Sequence, residues 1–382
     1  MTPRKRKPRP PSALDLFAGA GGLGLGLEWA GFDVKAANEY EDVFAATYAD
    51  NHPQTHVFPG DVLDRNVRSK LLAAAQGVDL VAGGPPCQGF STVGKKNETD
   101  PRNRLFYAFL GIVRDLRPRA VLFENVGGFR RMYEGRAFAA LVQGLEELGY
   151  ASPHFAILNA VNHGVPQLRE RTFVVAFRED RPFRFPAPTH APAQDPLCEK
   201  RYLTLADALS DLPPVASGET SDRYLRAPAN SYQTFMRKGA GRVLTEQDGP
   251  WHGPKLLNVI SRVPPGGTIL DVPPELRPKS CFANTYSRLW WDRPSTTITR
   301  NLGTPSSSRC IHPHADRGLT TREGARLQSF PDRYRFSGSR IQKNLQIGNA
   351  VPPLLAQALG QSILAHLPPA CPPRQGIEAR AF

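Results

Sequence analysis

One cysteine, one glutamate, two arginines and a run of glycines are the residues of this chain whose types and spacing could do chemistry. Cys87 stands in Gly83-Gly84-Pro85-Pro86-Cys87-Gln88-Gly89-Phe90-Ser91, after the apolar run Val78-Asp79-Leu80-Val81-Ala82. Two prolines fix φ just before the thiol and remove two backbone donors, while the flanking glycines permit a sharp turn and a close approach. A thiol on such a loop is held out from a strand end toward a pocket, where ligands of open α/β sheets bind. The plainer alternative is a small buried hydrophobe, because a thiol needs nearby help to become a thiolate. Glu124, in Glu124-Asn125-Val126, follows the apolar run Ala120-Val121-Leu122-Phe123 and emerges at the same sheet edge. Its alternative is a structural ion pair. Arg169 and Arg171 lie in the basic loop Val165-Pro166-Gln167-Leu168-Arg169-Glu170-Arg171, where an exposed salt bridge is the competing reading.

The elements that must position these groups follow from the apolar patterning. Residues 13–17 read as a strand running into Ala18-Gly19-Ala20-Gly21-Gly22-Leu23-Gly24, with a helix expected through about Ala30 and stopped by Gly31. Gly19, Gly21 and Gly24 satisfy G-x-G-x-x-G, and Glu39 lies twenty residues after Gly19, where a dinucleotide fold places its ribose-binding acid. That pattern suits a nicotinamide or flavin enzyme as well as any other adenosine-containing cofactor. Asp61, in Gly60-Asp61-Val62 after a third strand, is placed to meet an adenine amino group or is an ordinary turn residue. Helices are expected over 105–116 and 137–148, and strands over 156–160 and 172–177. The polar stretch 92–104 beside the cysteine has the composition of a lid. Farther on, Thr320 or Thr321 can cap a short helix with Glu323 in its first turn, and Gly348-Asn349-Ala350-Val351-Pro352-Pro353 opens a helix to about His366.

Composition bounds the class. The 382 residues are 40% hydrophobic, no run approaches the roughly 18 to 20 apolar residues of a membrane span, and the amino terminus lacks a signal-peptide apolar region. A cytoplasmic, globular protein is the expectation. Its five cysteines are scattered with no Cys-x-x-Cys pair, which argues against a disulfide framework and a structural zinc site. The net charge of +13 points to a polyanion such as nucleic acid. Five of those charges sit in the basic tail of residues 1–11, either a solubilising extension or a phosphate-contacting arm, and the remaining +8 is still basic. Between 181 and 290 the regular periodicities fade, with fifteen prolines, fourteen Lys or Arg against ten Asp or Glu, and many aromatics. This segment is read as a second domain able to follow a duplex, or as an irregular capping or dimerisation domain.

Taken in order, Asp15-Leu16-Phe17-Ala18-Gly19-Ala20-Gly21-Gly22, the Pro85-Pro86-Cys87 loop, Glu124-Asn125-Val126, Gln167-Leu168-Arg169-Glu170-Arg171 and Gly348-Asn349-Ala350-Val351-Pro352-Pro353 make the chain resemble a bacterial DNA (cytosine-5) methyltransferase of the modification type. The resemblance spans 13 to about 365. It implies an α/β, Rossmann-like catalytic domain over 12–180, a smaller irregular target-recognition domain over 181–290, a return segment at 291–367 that completes the catalytic domain, and a tail at 368–382. It implies S-adenosyl-methionine as methyl donor, S-adenosyl-homocysteine as product, and no metal. Double-stranded DNA is the implied partner, with a possible cognate restriction endonuclease encoded nearby, no membrane, and a monomer.

The resemblance assigns Cys87 as the nucleophile at carbon 6 of a flipped cytosine, Glu124 as proton donor at ring nitrogen 3, and Arg171 with Arg169 to the cytosine carbonyl oxygen. For the cofactor it carries over Phe17, Gly19, Gly21 and Gly22 at the methionine end, Glu39 at the ribose, Asp61 with Val62 at the adenine, Pro86 and Leu105 on the apolar side, and Asn349 with Ala350 at the pocket wall. Tyr40 stands where many members carry tryptophan, which keeps an aromatic face for the adenine with less area. A nicotinamide oxidoreductase has no use for the Pro-Pro-Cys and Glu-Asn-Val blocks. A zinc cytidine deaminase needs Pro-Cys-x-x-Cys, and here Phe90 stands three residues after Cys87. A tRNA cytosine methyltransferase shares the motifs, and the long segment 181–290 favours duplex DNA over it.

Overall fold

The structure is a computed structural model that describes residues 9–86, 104–195, 200–279 and 285–367. Its main sheet contains β1 (Ser12–Leu16), β2 (Asp33–Glu39), β3 (His56–Pro59), β4 (Leu80–Gly83), β5 (Ala120–Val126), β6 (Ala151–Asn159) and β7 (Glu170–Phe177), in the order β3-β2-β1-β4-β5-β7-β6. β1 to β5 pair in parallel, and β7 runs antiparallel to both β5 and β6. The helices α1 (Gly22–Ala30), α2 (Asp42–Asn51), α3 (Arg65–Ala74), α4 (Arg104–Leu116) and α5 (Arg136–Glu147) connect the strands. Downstream come α6 (Leu205–Leu209), α7 (Ser231–Met236), α8 (Pro254–Ile260), the parallel pair β8 (Ser287–Arg288) and β9 (Arg309–Ile311), then α9 (Thr321–Leu327), α10 (Arg340–Asn349) and α11 (Pro353–His366).

Strand alternation divides the sheet's side chains between two cores. Leu14, Leu16, Val81, Val121 and Phe123 face α4 and α5, meeting Phe106, Phe109, Leu141 and Leu145. Ala13, Leu80, Ala82, Leu122, Phe173 and Val175 face the other way, onto Leu23 and Leu27 of α1 and Leu355, Leu359 and Ile363 of α11. Each large side chain buried this way stabilises the fold by about 1.5–3 kcal/mol, which makes these two faces the support of the sheet edge where the site lies.

α1 and α11 approach so closely that side chains are excluded between them. A Cβ at Gly22 would lie 2.3 Å from the Val351 carbonyl oxygen, and one at Gly26 would lie 2.3 Å from the Ala356 Cβ. The final helix thereby docks against the first, and the 348–351 segment is delivered to the glycine turn.

The expected strands and helices of the first half are present, with Gly31 closing α1 in the left-handed region and Thr320 capping α9 through a reciprocal contact with Glu323. Three features differ from the sequence reading. β6 starts at Ala151, ahead of the expected 156, because its pairing with β7 extends to Ala151 opposite Phe177, while β5 runs to Val126 opposite Arg171. Gln346 to Asn349 belong to a separate helix, α10, which a Ser339–Gln342 capping box starts. The proline-rich segment feeds two apolar clusters: Leu205, Leu209, Tyr232 and Met236 pack with Ala20, Leu25, Ala325 and Ile347, whereas Val259, Ile260, Val263 and Ile269 pack with Ile311.

Buried arginines connect these parts. The Arg326 guanidinium bonds Asp211 at 2.8 Å and Asp332 at 2.7 Å, all three side chains at 0–1% exposure. Arg317 pairs with Glu323 at 2.8 Å and Arg322 with Glu246 at 3.1 Å.

Candidate active site

The carboxyl ends of the parallel strands open into a cavity of about 740 Å³. Phe17, Gly19 and Gly22 reach it from β1 and the turn after it, Glu39 and Tyr40 from the end of β2, and Asp61 and Val62 from the turn after β3. Pro86 and Leu105 contribute from beyond β4 and from α4, Glu124 and Arg171 from β5 and β7, and Asn349 and Ala350 from the end of α10.

Antiparallel pairing explains how two distant charges meet. β7 starts at the edge where the parallel strands end, and Arg171 lies one diagonal step from Glu124, on the same face of the ladder. Arg171 Nε is 3.1 Å from Glu124 Oε1, with the side chains 13% and 14% exposed. Burial raises the Glu124 pKa above the usual carboxylate range even though Arg171 and Arg169 pull it down. Next to it, Asn125 Nδ2 donates to the Pro85 carbonyl at 3.1 Å, tying the end of β5 to the Pro85-Pro86 backbone.

On the other side of the cavity Glu39 closes the glycine turn onto β2. Gly19 N–H donates to Glu39 Oε2 at 2.7 Å and Glu41 N–H to Oε1 at 2.9 Å. Burial raises its pKa. Asn38 Nδ2 bridges the Phe58 and Gly60 carbonyls at 2.9 and 3.0 Å, which sets the turn carrying Asp61. Phe17 holds φ at 55°, a left-handed conformation uncommon for a bulky residue and typical of functional turns. Tyr40 is 67% exposed, with its ring available at the cavity rim.

Two of the expected residues stand apart from the cavity. Gly21 turns away from it, toward His52 and Tyr334. Arg169 is 1% exposed and donates to the carbonyls of Ile298, Gly348 and Ala350 at 2.9, 2.8 and 2.9 Å. Its Nη groups thereby fasten the segment holding Asn349 and Ala350, while its buried Nε has no hydrogen-bond partner. Cys87 and residues 92–103 of the expected 92–104 lid lie outside the described residues; Pro86 and Arg104, on either side of 87–103, both line the cavity.

Asp15 was not singled out by sequence reasoning. It lines the cavity, is fully buried, and accepts from the Tyr48 hydroxyl at 3.2 Å on Oδ2, while Oδ1 has no hydrogen-bond partner. Burial pushes its pKa up to about 8. The available signal was a lone acid inside an otherwise apolar strand. Among the described residues there is no group of three or more His, Cys, Asp or Glu arranged to hold a metal, and no helix long and apolar enough to cross a membrane.

The family model of C-5 cytosine-specific DNA methylases matches residues 12–365. The chain belongs to this family. It is a DNA cytosine-5 methyltransferase with a Rossmann-like fold, and membership implies S-adenosyl-methionine as methyl donor. Among similar proteins of the methylase family, the type II methyltransferase M.AgeI of Thalassovita gelatinovora is 33% identical over 92% of this chain and 98% of its own length. M1.HphI of Haemophilus parahaemolyticus is 35% identical over 92% of this chain and 86% of its own. The crystal structure of a protein encoded within an E. coli prophage superposes with a TM-score of 0.72 at 25% identity, covering 93% of this chain and 99% of that one. The S. pombe Dnmt2 methyltransferase shares the fold, with a TM-score of 0.61 at 18% identity over 93% of this chain and 98% of its own.

Proposed function

We propose that this methyltransferase modifies carbon 5 of a cytosine flipped out of a short specific duplex sequence, through a covalent adduct of Cys87 at carbon 6. The reading includes a modification role in a restriction system, or action as a solitary methyltransferase, and action as a monomer. The observation that carries it is the Glu124–Arg171 pair, a carboxyl with a raised pKa beside a guanidinium, in the wall of a cavity that also holds a glycine turn and acidic strand ends.

Carbon 5 of cytosine is a poor nucleophile. Addition of the Cys87 thiolate to carbon 6 breaks the 5,6 double bond and spreads the electron pair over the ring. Glu124 gives its proton to ring nitrogen 3 as that charge develops, and burial, by raising its pKa, favours the protonated form this step needs. Arg171 holds the carbonyl oxygen and opposes the negative charge in a site shielded from water. Once carbon 5 is methylated, a base takes its proton, the electron pair re-forms the 5,6 double bond and expels the Cys87 thiolate, and ring nitrogen 3 returns its proton to Glu124. Flipping costs a few kcal/mol, offset by contacts to the extruded base.

Bound S-adenosyl-methionine supplies a methyl group on a sulfonium. The residues present fit that molecule. Glu39 meets the ribose hydroxyls, Asp61 with Val62 and the Tyr40 ring the adenine, and Phe17, Pro86, Leu105, Asn349 and Ala350 the walls. The free, buried oxygen of Asp15 suits an ammonium group, so the methionine end belongs beside the Gly19–Gly22 turn. Arg169 acts as a positioning residue for Asn349 and Ala350.

The test is base-resolution 5-methylcytosine sequencing of DNA from a methylation-free host expressing this chain beside Cys87→Ser. Methylation at one short motif, abolished in the variant, is the expected result. Methylation that persists in Cys87→Ser would sink the assigned nucleophile, and unmodified DNA from a folded wild type that binds S-adenosyl-methionine would move the substrate to RNA.

A further inference from the structure

The glycine turn of the cofactor cavity is held from behind by a buried polar chain that no step of the reaction uses. His52 caps the end of α2 and is 1% exposed. Its Nδ1 is 2.8 Å from Glu28 Oε1 on α1, and its Nε2 is 2.9 Å from the Tyr334 hydroxyl, which bonds the carbonyl of Ala20 in the turn itself. The hydroxyl has one proton. Since that proton goes to the Ala20 carbonyl, Tyr334 accepts from His52 Nε2–H, and Glu28 holds the opposite ring nitrogen through a proton shared at Nδ1.

Packing keeps this chain in one arrangement. Tyr48 lies against His52 with ring centroids 4.2 Å apart, and Asn51 exchanges two hydrogen bonds with Arg335, at 2.8 and 3.0 Å, beside Tyr334. Arg322 donates to the Tyr334 carbonyl at 3.0 Å. The chain also accounts for Gly21, whose φ is +88° and whose added Cβ would lie 2.7 Å from both His52 Nε2 and the Tyr334 hydroxyl. That glycine leaves room for the relay, Gly22 leaves room for the Val351 backbone, and Gly19, where an added Cβ would meet nothing within 4 Å, faces open space.

We infer that Tyr334, oriented by His52 and Glu28, is a positioning residue for cofactor binding, fixing the Ala20 carbonyl and with it the Gly19–Gly22 turn. The relay joins the return segment to the cofactor turn across more than 300 residues of sequence. It acts on the turn's geometry before any chemistry, so its loss shows in cofactor affinity and not in turnover at saturating cofactor.

The inference rests on the cavity's binding S-adenosyl-methionine, and the experiment separates the two. Calorimetric titration with S-adenosyl-homocysteine is run on the wild type, Tyr334→Phe, His52→Leu, His52→Gln and Glu28→Gln, with melting curves and kcat at saturating S-adenosyl-methionine alongside. A folded wild type without affinity overturns the cavity assignment and the relay with it. With a binding wild type, Tyr334→Phe and His52→Leu are expected to raise Kd by roughly five- to tenfold while kcat stays within about twofold. His52→Gln, which keeps an N–H near the Nε2 position, is expected to recover most of that loss. Glu28 sits at the more exposed end, so Glu28→Gln remains informative if a core variant fails to fold; it is expected to raise Kd by about two- to threefold. Unchanged affinity in the folded variants, or no difference between His52→Gln and His52→Leu, would overturn the relay.

Discussion

Asp15 is a carboxyl with no access to water, one oxygen without a partner, and a pKa pushed to about 8 by burial. Near neutral pH it therefore carries a proton when no ligand is present. A cationic ammonium beside the free oxygen lowers that pKa and drives the proton off, so binding S-adenosyl-homocysteine at pH 7.5 should release a sizeable fraction of a proton. Calorimetry in two buffers of different ionisation enthalpy measures the release, and in Asp15→Asn it should vanish as affinity falls. If wild type and variant release equal protons, Asp15 does not face the ammonium. The folded state also binds this proton more tightly than the unfolded chain, whose carboxyl has an ordinary pKa, so the ligand-free enzyme should lose stability as pH rises from about 4 to 8. At this scale the sequence was uneven. Glu39, Asp61 and Glu124 could be picked out as acids at or just beyond strand ends, each with a structural alternative, and the fold brings all three to one cavity. Arg169 and Arg171 looked alike, and only the tertiary contacts of Arg169 with Gly348 and Ala350 separate them.

At the scale of elements, α1 shows how tertiary packing overrides propensity. Glycine within a helix costs about 1 kcal/mol relative to alanine, yet Gly22, Gly24 and Gly26 all lie in this one. Gly26→Ala should favour the isolated helix but force α11 away, because the added methyl meets Ala356 and the Pro353 carbonyl, 2.5 Å away, at the same time. Overpacking of this kind costs typically 1–3 kcal/mol. We expect a lower urea midpoint and, since α11 follows Asn349 and Ala350, weaker S-adenosyl-homocysteine binding; a midpoint at or above wild type would show that the interface can relax. The helices over 105–116 and 137–148 and the buried strands of the first half were legible because their apolar patterns are strong, whereas α2 and α3, with less marked apolar patterns, were not singled out. α10 was less so, with much of its sequence polar and its start marked by Ser339 and Gln342 alone. α6, α7 and α8 span only five to seven residues each, too short to show a period.

Across the whole molecule, the buried arginines carry what the proline-rich sequence could not reveal: which parts are joined. Arg326 neutralises Asp211, from the stretch expected to recognise DNA, and Asp332, from the return segment. Arg326→Met would leave Asp211 with Arg237 at 3.3 Å and Asp332 with the Tyr224 hydroxyl at 2.8 Å as their remaining side-chain partners, and removing one partner from a buried ionic cluster typically costs about 3–5 kcal/mol. We expect a large fall in melting temperature, read by calorimetry beside the wild type. A melting temperature close to that of the wild type would mean that Arg237 and the Tyr224 hydroxyl suffice to hold the two carboxylates. The docking of α11 on α1 also has a consequence for biosynthesis. The ribosome makes α1 first and α11 last of the elements described, and long-range closure of this kind is slow. The sheet strands can pair while translation continues, but the cofactor pocket lacks its α10 wall until the final helices emerge. A nascent or prematurely terminated chain is thus unable to mark DNA, and modification begins only with polypeptides that have been translated through α11.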